Sequence, residues 1–264
     1  MTGTLVKIVL GIALAVPLLV WLLQDRMIFF PRPLESRPAP RANLEDVTIT
    51  AADGVKLRGW FVGGRGTPAP LLIYFGGNAE EVSWLADVAA RFAGWSLLIV
   101  NYRGYGESEG SPGEDALLRD AVSVYDHAAR RPGVDPGRIV AMGRSLGSGV
   151  AVHLAGERVL RGLILVSPYD SLVAVARRHY PYLPVSLMLR HRFDSLSRAP
   201  RILAPLLCLV ATEDSVIPVS HSRTLFGAWT GPKTWREVPH ADHDSIAGDP
   251  AYWAAIADFL ESRR

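Results

Sequence analysis

Arg138-Ile-Val-Ala-Met142, then Gly143-Arg144-Ser145-Leu146-Gly147, then Ser148-Gly-Val-Ala-Val-His-Leu-Ala155 is the stretch whose reading decides the fold. An apolar run enters a glycine-flanked serine and leaves as a series rich in Val, Ala and Gly. That order spells a buried strand, a sharp turn and a helix. In so tight a turn, side chains two before and two after the serine would collide, so glycine belongs at 143 and 147. The hydroxyl then stands above the sheet, beside a helix N-terminus whose dipole favours negative charge. This is the context of a G-x-S-x-G nucleophile elbow. The plain alternative is an ordinary strand-to-helix turn with a capping serine.

Outward from the elbow, short apolar runs alternate with helix-patterned ones. Upstream, strands are predicted at 47–49, 57–62, 71–75 and 97–100, with helices at 82–92 and 116–129. Downstream come strands at 163–166, 206–210 and 234–238 and helices at 147–155, 219–229 and 251–262. Strands alternating with helices imply a mostly parallel sheet of about eight strands with helices on both faces, an α/β fold. The segment 167–204 breaks the rhythm with two helix-like pieces and no strand. As an insertion it belongs over the carboxyl ends of the strands, as a small cap where open α/β sheets bind ligands.

Composition narrows the function. The 264 residues carry a formal net charge of +2, which argues against nucleic acid as a partner, because that needs a clustered basic face. The single cysteine, Cys208, excludes an intramolecular disulfide and a cysteine zinc cage, and lies in an apolar run as a core residue. Ile8–Leu23 is uncharged, and residues 4–23 are long enough as a helix to cross a hydrocarbon core. Ala13-Leu-Ala15, the one Ala-x-Ala there, sits inside the apolar run and not after it, which favours an uncleaved anchor over a removed signal. The expected organisation is a membrane anchor at 1–26, a proline-rich connector at 27–45 and the catalytic domain at 46–264. The side of the membrane is left open by the flanking charges.

A serine hydroxyl needs a base, and the base a third group to orient it. In folds with this elbow the chain order is serine, acid, histidine. Asp214 follows the strand 206–210 in a loop, with Asp170 as the rival acid. Past the last strand lie His240 and His243, of which position favours His243. Oxyanion donors are expected from the backbone N–H groups of Leu146 and of Asn78 in the loop Gly76-Gly77-Asn78-Ala79. In the cap, Tyr169, Leu187 and Met188 are candidate substrate-binding residues for an apolar acyl group. No metal and no cofactor is implied.

With those residues in hand, the chain resembles the α/β-hydrolase superfamily. More narrowly it resembles the membrane-anchored serine hydrolases related to bud emergence homologues and mammalian ABHD depalmitoylase-like proteins, with a serine aminopeptidase S33-like domain. The stretches that carry the likeness are Met27-Ile-Phe-Phe-Pro-Arg-Pro33, Tyr74-Phe-Gly-Gly-Asn-Ala79, Asn101-Tyr-Arg-Gly-Tyr-Gly-Glu-Ser-Glu-Gly110, Gly143–Gly147, Asp214 with Pro218, and His243-Asp244. The resemblance implies an α/β-hydrolase fold and supports Ser145, Asp214 and His243 over their competitors. Relatives carry His-Gly-Asn-Ala where this chain has Gly76-Gly77-Asn78-Ala79. The expected function is a membrane-anchored serine hydrolase acting on a small-molecule or acylated substrate, an ester, thioester or amide. A membrane-tethered, non-catalytic binding protein on the same fold is the alternative.

Overall fold

The computed structural model describes residues 2–92 and 94–264, the side chains at 2, 6, 9 and 12–14 excepted. The chain begins with α1 (Thr2–Ile28), β1 (Leu44–Thr50), β2 (Lys56–Val62) and β3 (Ala69–Phe75), followed by the short turn of helix α2 (Trp84–Asp87). Then come β4 (Ser96–Val100), α3 (Glu114–Ala129), β5 (Val134–Arg144), α4 (Leu146–Glu157) and β6 (Gly162–Val166). The cap holds α5 (Leu172–His179), α6 (Val185–Met188) and α7 (Ser195–Arg198). The chain closes with β7 (Leu206–Ala211), α8 (Val219–Ala228), β8 (Lys233–Val238) and α9 (Pro250–Glu261).

The strands form one sheet of eight in the order β1-β2-β4-β3-β5-β6-β7-β8. Strand β2 runs antiparallel to both its neighbours, and every pair from β4–β3 through β7–β8 is parallel. All seven residues of central β3 are buried, as expected of a strand covered on both faces. Its pleat divides them: Leu71, Ile73 and Phe75 join the core under α3 and α4, while Leu72 and Tyr74 join the core under α9. Cys208 is buried in β7, as its apolar run implies, and burial pushes its thiol far above the ordinary range.

The helix expected over 82–92 forms only as α2 and a 3₁₀ turn at Ala89–Phe92. The backbone N–H of Val82 donates to the Asn101 side chain and that of Ser83 to Glu81, and regular helix starts only at Trp84. The expected span at 4–23 lies within α1, but the side chains of Val6, Val9, Ile12, Ala13 and Leu14 fall outside the described residues. Among the described residues no helix is long and apolar enough to cross a membrane. The transmembrane helix of the sequence reading is thus not found among them.

Residues 27–45 are more than a spacer. Phe29 is buried in the core against Phe193 and His191. The end of α1 is fastened to the cap by four polar contacts: Arg190 N–H to Gln24 Oε1 (2.7 Å), the Gln24 amide to Met188 O (3.3 Å), Arg190 to Asp25 (2.9 Å), and His191 Nε2 to Asp25 (2.7 Å). His191 Nδ1 accepts from the Glu114 N–H at 3.2 Å, so the ring hydrogen resides on Nε2 and points at Asp25.

An ionic cluster around the buried Arg103 holds the loop after β4. Arg103 donates to both oxygens of Asp120 (2.8 and 2.6 Å) and to Asp53 (2.9 Å), and both partners raise its pKa further against the opposing effect of burial. Only 6% of Arg103 and 3% of Asp120 is exposed, so removing one leaves the other a buried, uncompensated charge. Arg103→Met is therefore expected to cost about 3–5 kcal/mol, read as a drop in denaturation midpoint. Adding Asp120→Leu should restore part of the loss; no restoration would refute this account of the cluster.

Candidate active site

At the end of β5 the chain turns through Ser145 with φ 50° and ψ −119°, a conformation that L residues seldom adopt. The neighbours enforce it. A Cβ at Gly143 would stand 2.2 Å from the Gly147 carbonyl oxygen, and one at Gly147 would stand 2.1 Å from that of Phe75. The strained serine is held by its N–H donating to Val166 O (2.9 Å) and by the Ser148 hydroxyl donating to the Ser145 carbonyl (2.7 Å).

The loops after β7 and β8 bring two expected partners to this hydroxyl. His243 Nε2 lies 2.9 Å from Ser145 Oγ, and His243 Nδ1 lies 2.8 Å from Asp214 Oδ2. The other carboxylate oxygen of Asp214 accepts the N–H groups of Val216 (3.0 Å) and Ile217 (2.7 Å). Burial pushes the Asp214 carboxyl up, but the hydrogen bond and charge of His243 and the Ile217 N–H outweigh it, holding the pKa below its ordinary value. An ionised Asp214 only accepts, so the hydrogen sits on His243 Nδ1 and leaves Nε2 free to accept from the serine. All three residues are buried, at the carboxyl ends of parallel strands.

The competing residues go elsewhere. The His240 side chain is 91% exposed and faces Glu213 at 3.2 Å. Asp170 is buried, but its carboxylate meets His221 of α8 at 2.9 Å and the Ser171 N–H at 2.7 Å.

The loop after β3 is clamped from three sides. Asn78 donates its side-chain amide to Ile28 O (3.1 Å), and its carbonyl accepts the Phe30 N–H (3.0 Å) and the Tyr105 hydroxyl (2.5 Å). Glu80 accepts from Gly77 N–H (2.7 Å) and the Tyr74 hydroxyl (2.8 Å). Arg144 contacts Glu80 at 3.3 Å and also donates to the His243 carbonyl at 2.8 Å. Burial works against the Arg144 charge, but Glu80, Tyr74 and Asp244 outweigh it and keep the guanidinium firmly protonated. One arginine thus ties the glycine loop to the histidine loop. Sequence reasoning passed over Arg144 and Glu80; the carboxylate three residues after Gly77 was the available signal.

Ser145, Asn78 and Leu146 line a common cavity with Met27, Ile28, Tyr169, Leu172, Val175, His179, Val216 and Ile217. Of the three cap residues expected to bind substrate, Tyr169 lines this cavity, with its hydroxyl donating to Leu146 O (3.2 Å). Met188 instead lines an adjoining groove against α1. Leu187 is 88% exposed and lines neither, because the single turn of α6 points it away from its buried neighbour Val185. Met27 and Ile28, in the segment read as a connector, are the unforeseen wall.

The family model described as serine aminopeptidase, S33, matches residues 66–190. An uncharacterized protein of Mycobacterium tuberculosis is 35% identical over 250 residues, covering 90% of this chain and 87% of its own. The α/β-hydrolase domain-containing protein WAV2 of Arabidopsis thaliana is 28% identical, covering 96% and 91%. Among solved structures, an acetyl xylan esterase from Paenibacillus superposes with a TM-score of 0.69 at 24% identity, covering 88% of this chain and 89% of the esterase. With its eight-stranded sheet and one reversed strand, this chain belongs to the α/β-hydrolase superfamily.

Proposed function

We propose that this hydrolase is a serine hydrolase that cleaves a carboxylic ester, thioester or amide through an acyl-enzyme. The observation that carries the reading is the continuous relay of Asp214, His243 and Ser145, joined by contacts of 2.8 and 2.9 Å. In this mechanism the Ser145 proton passes to His243 Nε2 as Oγ bonds to the carbonyl carbon. Asp214 holds the ring and stabilises the imidazolium. Backbone N–H groups of Leu146 and Asn78 receive the oxyanion. The imidazolium then protonates the departing alcohol, thiol or amine as its bond to carbon breaks. Water, deprotonated by His243, attacks the acyl-enzyme and frees the carboxylic acid, and the proton returns to Ser145.

An activated serine reacts with a fluorophosphonate, whereas a binding protein on this fold does not. The test is labelling by a fluorophosphonate probe with the modified peptide identified by mass spectrometry. Stoichiometric modification at Ser145 is expected, abolished by His243→Ala and preserved in His240→Ala. No labelling of the folded chain would leave the non-catalytic binding protein as the reading.

The same proposal places the protein at a membrane through its N-terminal helix. Leu5, Ile8, Leu10, Leu18, Leu19 and Leu22 of α1 are each more than half exposed, an apolar surface that water covers poorly. Extraction of the full chain by detergent but not by high salt is the outcome that supports attachment.

A further inference from the structure

The distances among Ser145, His243 and Asp214 are set by unequal means. The loops after β7 and β8 hold each other directly: Glu213 N–H donates to Ala241 O (2.9 Å) and His240 N–H to Thr212 Oγ1 (3.0 Å). Acid and base are thereby tied to each other. Asp242 stiffens the histidine loop from within, accepting from the N–H groups of Asp244 (3.0 Å) and Ser245 (2.8 Å). The nucleophile belongs to a different element, the end of β5. Apart from the contact of His243 with Ser145, the polar contacts that join the histidine loop to that end come, among the described residues, from Arg144.

Arg144 is the last residue of β5 and the neighbour of Ser145 in the chain. One arm of its guanidinium, Nη2, donates to the His243 carbonyl (2.8 Å) and to Asp244 (3.0 Å), while Nη1 meets Glu80 Oε2 at 3.3 Å. The Asp244 side chain is 90% exposed, so that contact adds little, and the anchors are His243 O and Glu80. Glu80 Oε2 also accepts the Gly77 N–H (2.7 Å), which commits that donor and leaves the next one, Asn78 N–H, for the oxyanion of the proposed mechanism. A Cβ at Gly77 would stand 3.2 Å from Arg144 Nη1, so glycine there lets the guanidinium lie against the loop. Arg144 does not line the cavity at Ser145. Its guanidinium meets the two loops and not the space where a substrate would sit.

We propose that Arg144 is a positioning residue of the hydrolysis: from its place beside the nucleophile it holds the histidine loop and the oxyanion loop in register with Ser145, without touching the substrate. This rests on Ser145, His243 and Asp214 acting as the triad. Reacting groups must be held within about 0.5 Å of their productive places, and a displacement of about 1 Å costs about a hundredfold in rate. Two anchors on different loops call for the planar fork of an arginine. The single ammonium of a lysine serves one of them at a time.

The test is steady-state hydrolysis of p-nitrophenyl acetate by the full chain, beside denaturant melts. Arg144→Met alone leaves Glu80, whose side chain is 10% exposed, as a charge without its partner. It is therefore combined with Glu80→Gln, which keeps an acceptor for Gly77. The double variant should lose about a hundredfold in kcat with KM within about threefold, and its rate of labelling by a fluorophosphonate should fall in parallel. Arg144→Lys keeps a charge for Glu80 and should lose about tenfold in kcat; it carries the test should the double variant fail to fold. Arg158→Met removes an arginine at the far end of α4, paired with Asp126 at 2.8 and 2.9 Å, and should keep the wild-type kcat whatever it costs in stability. Folded Arg144 variants with the wild-type kcat would overturn the role. So would a loss confined to KM, which would make Arg144 a substrate contact. Either result leaves the serine hydrolase standing so long as Ser145→Ala abolishes turnover, whereas a wild type inert to the ester and to the fluorophosphonate would overturn both.

Discussion

Replacing Ser145 with alanine is expected to lower kcat for any accepted ester by about 10⁴- to 10⁶-fold, leaving only what binding and the oxyanion donors supply. The fold should survive, because Ser145 takes part in the contacts that hold the turn through its backbone alone, its N–H donating to Val166 O and its carbonyl accepting from Ser148 Oγ. Alanine keeps a Cβ and hence the strain at φ 50°, whereas Ser145→Gly releases it. Glycine should therefore be as inactive as alanine yet more stable, by about 1 kcal/mol or more, in parallel kinetics and denaturant melts. Residual hydrolysis within tenfold of wild type in either variant would remove Ser145 from the reaction.

Asp214→Asn should be nearly as damaging, with a loss of about 10⁴ in kcat. The geometry supplies the reason. Asp214 Oδ1 accepts two N–H groups, so the amide oxygen takes that side and the NH₂ faces His243 Nδ1. The ring then moves its hydrogen to Nε2 and no longer accepts from Ser145. Asp170→Asn makes the contrast, since Asp170 faces His221 and not the triad histidine; its kcat should stay within a small factor of wild type. Steady-state kinetics on one short ester settles both, and a larger loss at Asp170 than at Asp214 would reverse the assignment of the acid.

The elbow, the strand succession and the three residues at the hydroxyl were legible because each is a local signal. Glycine at 143 and 147 answers backbone crowding, and Asp214 and His243 follow strand ends in an order the topology imposes. Strand edges were read to within a few residues; the largest shift is at the start of β5, expected at Arg138, where the pairing of Ala69 with Val134 carries the strand back to Val134. What stayed hidden was contact between distant segments. Nothing around Gln24 or Asp25 announces Arg190 and His191 as partners, and a stretch with four prolines reads as a spacer although its first residues clamp the Asn78 loop. Leu187 and Met188 looked alike in sequence; only the direction of one helical turn separates the exposed from the enclosed.

The fastening of α1 to the cap also has a consequence for biosynthesis. Gln24 and Asp25 leave the ribosome 165 or so residues before Arg190 and His191, the groups that receive them. At about 5–20 residues per second, the helix waits roughly ten to thirty seconds for the other half of its seat. The nucleophile, the acid and the histidine follow in that order, the last of them after the cap has emerged. In the proposed mechanism, a nascent chain therefore carries Ser145 without the imidazole that activates it until residue 243 has emerged.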